Sequence, residues 1–103
     1  MSSIELGGNI ELSGFKDVDG GSMIIIKKVV GNYVRKMNDM SSKFEKLSLN
    51  MKVIHEKEKG EKYEVHAKLM DNGKIITSEM TERNLFFTID KALSKIVSEI
   101  AKE

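Results

Sequence analysis

A two-layer α+β sandwich, in the order strand-helix-strand-strand-strand-helix, follows from three features of this chain. Asn72-Gly73 separates two runs in which apolar and polar residues alternate. Two longer segments carry apolar residues three and four apart, the spacing of a helix with one buried stripe. Two further strand-like runs, Ile4 to Gly14 and Leu47 to Val53, lie on either side of the first of those segments.

In the first strand, Ile10, Leu12 and Leu6 line one side, and Gly7-Gly8 mark a bulge or tight bend. Phe15 closes the strand, and Asp17 to Gly21 form a loop. Ser22 is the expected N-cap of a helix reaching about Met40, because a hydroxyl there accepts from an orphan N–H of the first turn. Met23, Ile26, Val30, Tyr33 and Met37 make its core stripe. Gly31 inside that helix costs about 1 kcal/mol relative to alanine, so it marks close packing or a contacted surface.

Leu47, Leu49, Met51 and Val53 alternate with Ser48, Asn50 and Lys52 to form the second strand. The mixed charges from Glu56 to Lys62 around Gly60 read as a solvated hairpin tip. Tyr63, Val65, Ala67 and Leu69 face inward from the third strand. Asn-Gly takes the two positive φ values of a type I′ turn, so Asp71 and Lys74 flank a two-residue loop. The register follows: Leu69 opposite Ile76, Ala67 opposite Ser78 and Val65 opposite Met80, with Lys68 meeting Thr77 and His66 meeting Glu79 on the other face.

Thr81 is the expected N-cap of the last helix, with Glu82 and Asp90 in its first half. Phe86, Ile89, Leu93, Ile96 and Ile100 form its stripe. A parallel crossover is normally right-handed and each helix has one apolar stripe. Both helices are therefore expected on one face of a four-stranded mixed sheet, in one domain spanning residues 1–103.

Composition narrows the function. The chain is 40% apolar and 32% charged, as in a soluble globular protein, and its longest apolar run, Met23 to Ile26, is too short to span a bilayer. No basic-then-apolar leader opens it, which implies a cytoplasmic location. The absence of cysteine excludes disulfides, thiolate chemistry and cysteine-type zinc sites. No nucleophile motif or glycine-rich phosphate loop is present, so a non-enzymatic protein without metal or cofactor is expected. A net charge of +1 gives no strong generic pull on nucleic acid unless the charges are segregated.

Projection at about 100° per residue does segregate them. Ile24, Lys28, Gly31 and Arg35 fall opposite the first helix's stripe, with Lys27 beside them. On the last helix Phe87, Lys91, Ser94, Lys95, Ser98 and Lys102 turn outward. Lys27, Lys28, Arg35, Lys91 and Lys95 are the candidate phosphate contacts, and Ile24 and Phe87 the candidate apolar partner contacts. The free sheet face (Asn50, Lys52, Ile54, Glu64, His66, Lys68, Thr77 and Glu79) has no aromatic residue on which bases could stack. Two histidines on opposite faces do not make a metal site, and His66 beside Glu79 reads as a cross-strand pair.

The segments Leu6 to Leu12, Asp71 to Ile75 and Asn84 to Asp90 make the chain resemble the ribosome hibernation promoting factor family, also called protein Y or ribosome-associated inhibitor A. The resemblance spans nearly the whole chain and is carried mostly by packing and turn positions. It implies the same α+β domain, and the additional C-terminal dimerisation domain of the long forms is not expected in this sequence. It also implies binding to ribosomal RNA on the small subunit, in the decoding region, where family members inhibit translation. The alternative is a protein-interaction or self-assembling module using Ile24 and Phe87, of which a homodimer is one form.

Overall fold

The computed structural model describes residues 3–5 and 9–102. The elements are β1 (Ser3–Glu5), β2 (Ile10–Ser13), α1 (Gly20–Met40), β3 (Phe44–Glu56), β4 (Gly60–Asp71), β5 (Lys74–Glu82) and α2 (Leu85–Ala101). The sheet order is β1-β2-β3-β4-β5. Strands β2 and β3 are parallel, joined by the α1 crossover, and the other neighbours are antiparallel. The four expected strands are thus present as a mixed sheet, with the two helices on one face.

The beginning of the chain departs from a single strand over Ile4 to Gly14. Ser3 pairs with Ser13, Ile4 with Leu12 and Glu5 with Glu11, so the run doubles back and adds a three-residue strand at the sheet edge. The inward Leu6 and the bulge or bend expected at Gly7-Gly8 lie outside the described residues.

The strand-to-helix passage depends on Gly14. Its φ is +85°, and a Cβ there would stand 2.0 Å from the Met51 carbonyl oxygen of β3. Only glycine lets the chain turn this close to the sheet. Phe15 then inserts fully into the core.

Both helix caps lie elsewhere than expected. Asp19, not Ser22, caps α1: its Oδ2 accepts the Ser22 backbone N–H at 3.0 Å. Hydrogen bonds from the Ser22 side chain and backbone hold the Asp19 carboxyl below the usual carboxylate range. Thr81 is not the cap of α2 because β5 keeps pairing with β4 through Glu82, and Thr81 stands opposite Glu64. The ladder keeps Thr81 and Glu82 in the strand, and Asn84 takes the cap by accepting the Phe87 N–H at 2.8 Å.

The Asn-Gly hairpin forms as the turn chemistry requires. Asn72 has φ 51° and Gly73 φ 83°, Asp71 pairs with Lys74, and every cross-strand partner expected along β4 and β5 is found. The buried Asp71 anchors the turn to the α1–β3 connection, accepting from Lys43 N–H at 2.9 Å while Asn72 N–H donates to the Lys43 carbonyl at 2.9 Å.

One apolar cluster fills the space between the layers. Met23, Ile26, Val30 and Met37 from α1 and Ile89, Leu93, Ile96 and Ile100 from α2 meet Leu12, Leu47, Leu49, Val65 and Leu69 of the sheet. Tyr33 and Phe86, the remaining stripe residues, are only partly buried at the edge of this cluster. Tyr33 instead joins the two helices, its hydroxyl donating to Asp90 Oδ1 at 2.7 Å.

Candidate nucleic-acid interface

The outer surface of the helical layer is built by the two apolar stripes: burying them fixes which side chains point away. On α1, Ile24, Lys27, Lys28 and Arg35 are all exposed. On α2, Phe87, Lys91 and Lys95 are exposed as well. Among the described residues, Lys27, Lys28, Arg35, Lys91 and Lys95 have no acid within ion-pair distance, although α2 also carries Asp90 and Glu99.

The five cations do not form one cluster. Tyr33 and Asp90 mark where α1 and α2 meet, so the helix faces divide around that seam. Lys28, Arg35 and Lys91 project outward on the two sides of it, whereas helical geometry turns Lys27 to the far flank of α1. Lys95 leans the other way, toward β5, with its Nζ 3.9 Å from Met80 Sδ. The structure also brings in Lys36 and Ile25, exposed on the α2-ward flank of α1. Their signal was the same helical projection, extended by one residue beyond the strictly opposite row. With Lys27, Lys28, Arg35 and Lys36 against Asp39 alone, α1 is the more basic helix.

Phe87 is 47% exposed, and the Lys91 ammonium sits 5.4 Å from its ring centroid. Such a contact holds a cation over one aromatic face and is worth about 0.5–1 kcal/mol at an exposed site. Ile24 is 70% and Ile25 50% exposed, so the outer layer carries apolar as well as basic contacts. Burial of the Tyr33 phenol, with Asp90's hydrogen bond and negative charge behind it, pushes its pKa up to about 12. The seam's phenol is therefore neutral over the ordinary pH range.

The opposite sheet face handles its charges differently. Lys46 pairs with Glu11 at 3.5 Å and Lys62 with Glu56 at 3.5 Å. His66 Nε2 lies 2.6 Å from Glu64 Oε2 and 3.4 Å from Glu79 Oε2. His66 thus meets the expected Glu79 and also Glu64, which shares its strand face two residues away. The ligand atoms of this trio lie within 4.8 Å of one another, on an open strand surface. Among the described residues, Lys52 and Lys68 stand on the same face without an acidic partner.

A cleft of about 700 Å³ opens where the helix N-termini meet the sheet, between Val18, Met51, Tyr63 and Phe86. Its guanidinium, Arg83, is already engaged by the Glu56 carboxylate and by the Lys59 carbonyl at 2.9 Å. His55 Nδ1 lies 3.2 Å from Glu61 on the same rim, and Asp17 and Asp19 also line the cleft. Hydrogen bonds from Arg83 also hold Glu56 below the usual carboxylate range.

No family model and no curated protein sequence matches the chain. Solved structures do. The N-terminal domain of Thermus thermophilus protein Y superposes with a TM-score of 0.60 at 11% identity, covering 91% of this chain and 93% of that one. A ribosomal subunit interface protein from Coxiella burnetii gives 0.62 at 12% identity, covering 91% and 92%. At such low identity the likeness is one of fold, and it is the fold that the hibernation-factor resemblance implied. Among the described residues, no helix is long and apolar enough to cross a membrane.

Proposed function

We propose that this protein is a non-enzymatic, cytoplasmic, ribosome-associated factor that contacts RNA phosphates of the small subunit through its helical layer and restrains translation. The observation that carries this reading is the outward set Lys28, Arg35 and Lys91, exposed and without acidic partners on a fold shared with a ribosomal subunit interface protein and protein Y. Lys27 and Lys95 extend the surface at its two flanks. Unpaired cations on a rigid layer can replace counterions at phosphates with little reorganisation, and Gly31 among them leaves room for close backbone approach.

Cosedimentation with purified small ribosomal subunits tests it. The wild-type chain is expected to pellet with the subunit at low salt. Reversal of Lys28, Arg35 and Lys91 to glutamate should abolish pelleting while leaving the circular dichroism spectrum unchanged. Undiminished pelleting of that variant would overturn the proposed surface.

A second reading draws on Ile24, Ile25 and Phe87, whose exposed apolar area lies on the same layer. As a protein-interaction surface it would bind through apolar burial, which salt leaves unchanged or strengthens. The same cosedimentation across salt separates the two.

A further inference from the structure

The two edges of the sheet are finished differently. On one side the chain folds back to place the three-residue β1 outside β2. On the other, β5 is nine residues long, pairs with β4 without a register shift, contains no proline and has no neighbour beyond it among the described residues. Long regular edges of this kind are templates for another strand, and proteins usually blunt them with proline, bulges or brevity. None of those three devices is present on β5, and the charged residues Lys74 and Glu82 stand at its opposite ends, where an antiparallel copy sets them against each other.

The hydrogen-bond phase of this edge follows from the hairpin. Asp71 and Lys74 flank the two-residue turn and exchange hydrogen bonds, so alternate residues of β5 bond inward to β4. Ile75, Thr77, Glu79 and Thr81 therefore present their N–H and C=O groups outward. An antiparallel second copy of β5 must bring outward groups opposite outward groups, which limits the registers of good overlap to those centred on residues 77, 78 and 79.

Only one of these is self-complementary. Centring on Thr77 sets Ile75 opposite Glu79 and Lys74 opposite Met80. Centring on Glu79 sets two glutamates against each other and Ile76 against Glu82. Centring on Ser78 pairs all nine residues: Lys74 with Glu82, Ile75 with Thr81, Ile76 with Met80, and Thr77 with Glu79. Opposite charges then meet at both ends, and the apolar pair lies on the helix side, where Ile76 is buried and Met80 partly so.

We propose that β5 is a homodimerisation edge, pairing antiparallel with β5 of a second copy about a two-fold axis at Ser78. This goes beyond the ribosome-associated reading and does not depend on it. The axis of an antiparallel strand pair is perpendicular to the sheet, so the dimer has one continuous sheet with all four described helices on the same face. Helix α2 packs over both β4 and β5. With strands about 4.8 Å apart, the two α2 axes come to lie roughly 10 Å apart, a normal helix-packing distance. The flank that meets across the axis carries Lys95, Ser98 and Glu99, a small residue between opposite charges. Those side chains already border a groove of about 520 Å³ along β5.

Sedimentation equilibrium of the full chain tests the proposal. The wild type should show a concentration-dependent monomer–dimer equilibrium. Thr77→Pro removes an outward N–H without touching the β4 ladder, and should weaken the dimer at least about 10-fold with unchanged far-UV circular dichroism. Lys74→Glu and Glu82→Lys each set like charges opposite one another at both ends, and should weaken it roughly 5-fold; the double exchange should restore it. If Thr77→Pro fails to fold, the charge exchange still decides the matter. A monomer at all concentrations, or a dimer indifferent to both the proline and the charge exchange, would overturn the proposal.

Discussion

The two broad faces of the molecule carry charge in opposite ways. On the open sheet face the cross-strand spacing sets acids beside bases: Lys46 with Glu11, Lys62 with Glu56, and His66 between Glu64 and Glu79. On the helical face Lys28, Arg35 and Lys91 pair with no acid among the described residues, and Asp90 is engaged in the seam by Tyr33. A chain of net charge +1 therefore presents one largely self-neutralised surface and one basic one. Sheet pairing neutralises by geometry, whereas a helix face offers neighbours only three and four residues away and leaves unmatched charges to a partner.

Charge reversal sharpens that contrast most. Lys28, Arg35 and Lys91 changed together to glutamate should reduce small-subunit binding by at least about 100-fold in a filter-binding assay at low salt, through lost phosphate contacts and added repulsion. Lys52 and Lys68 reversed on the sheet face should change it less than about 3-fold, since that face makes no phosphate contact in this account. Equal losses from both variants would erase the distinction between the faces.

The helical face also depends on how α1 leaves the sheet. Gly14→Ala places a Cβ against the Met51 carbonyl at a positive φ, and should destabilise the fold by about 2–3 kcal/mol in urea denaturation. A neutral result would mean that the crossover has another way to turn.

The seam offers a titration. With its folded pKa raised to about 12 from the ordinary 10.0, Tyr33 stabilises the fold fully below pH 10 and loses that contribution as pH rises through about 12. Absorbance titration should resolve a phenol near 12 that disappears in Tyr33→Phe. Asp90→Asn should bring that pKa down and, by removing a negative charge beside Lys91, raise affinity for RNA roughly 2-fold. The smallest effect belongs to the sheet: His66→Ala should shift stability by no more than about 0.5 kcal/mol, as for an exposed ion pair.

Much of the architecture was legible because local chemistry and burial agreed. Asn72-Gly73 set the β4–β5 register residue by residue, and the spacing of Met23, Ile26, Val30 and Met37 picked the buried face of α1. The caps were less legible because they are decided by competition. Ser22 and Thr81 are suitable residues, but Asp19 reaches the first turn from outside and the β5 ladder extends past Thr81. The doubling back that forms β1 depends on pairing Ile4 with Leu12, which alternation alone does not reveal. Within the candidate site, exposure was readable from helical projection, and grouping was not. Lys95 leans toward Met80, and Asp90 is drawn to Tyr33, through packing between elements distant in sequence.

The central claim, that unpaired cations of the helical layer bind phosphate, is tested most directly by the salt dependence of small-subunit binding. With five phosphate contacts, a plot of log Kobs against log salt concentration should have a slope of about −3.5 to −4.5 for the wild type. The slope should become much shallower when Lys28, Arg35 and Lys91 are reversed. Tight binding with a slope near zero, or an unchanged slope in the reversed variant, would contradict the account.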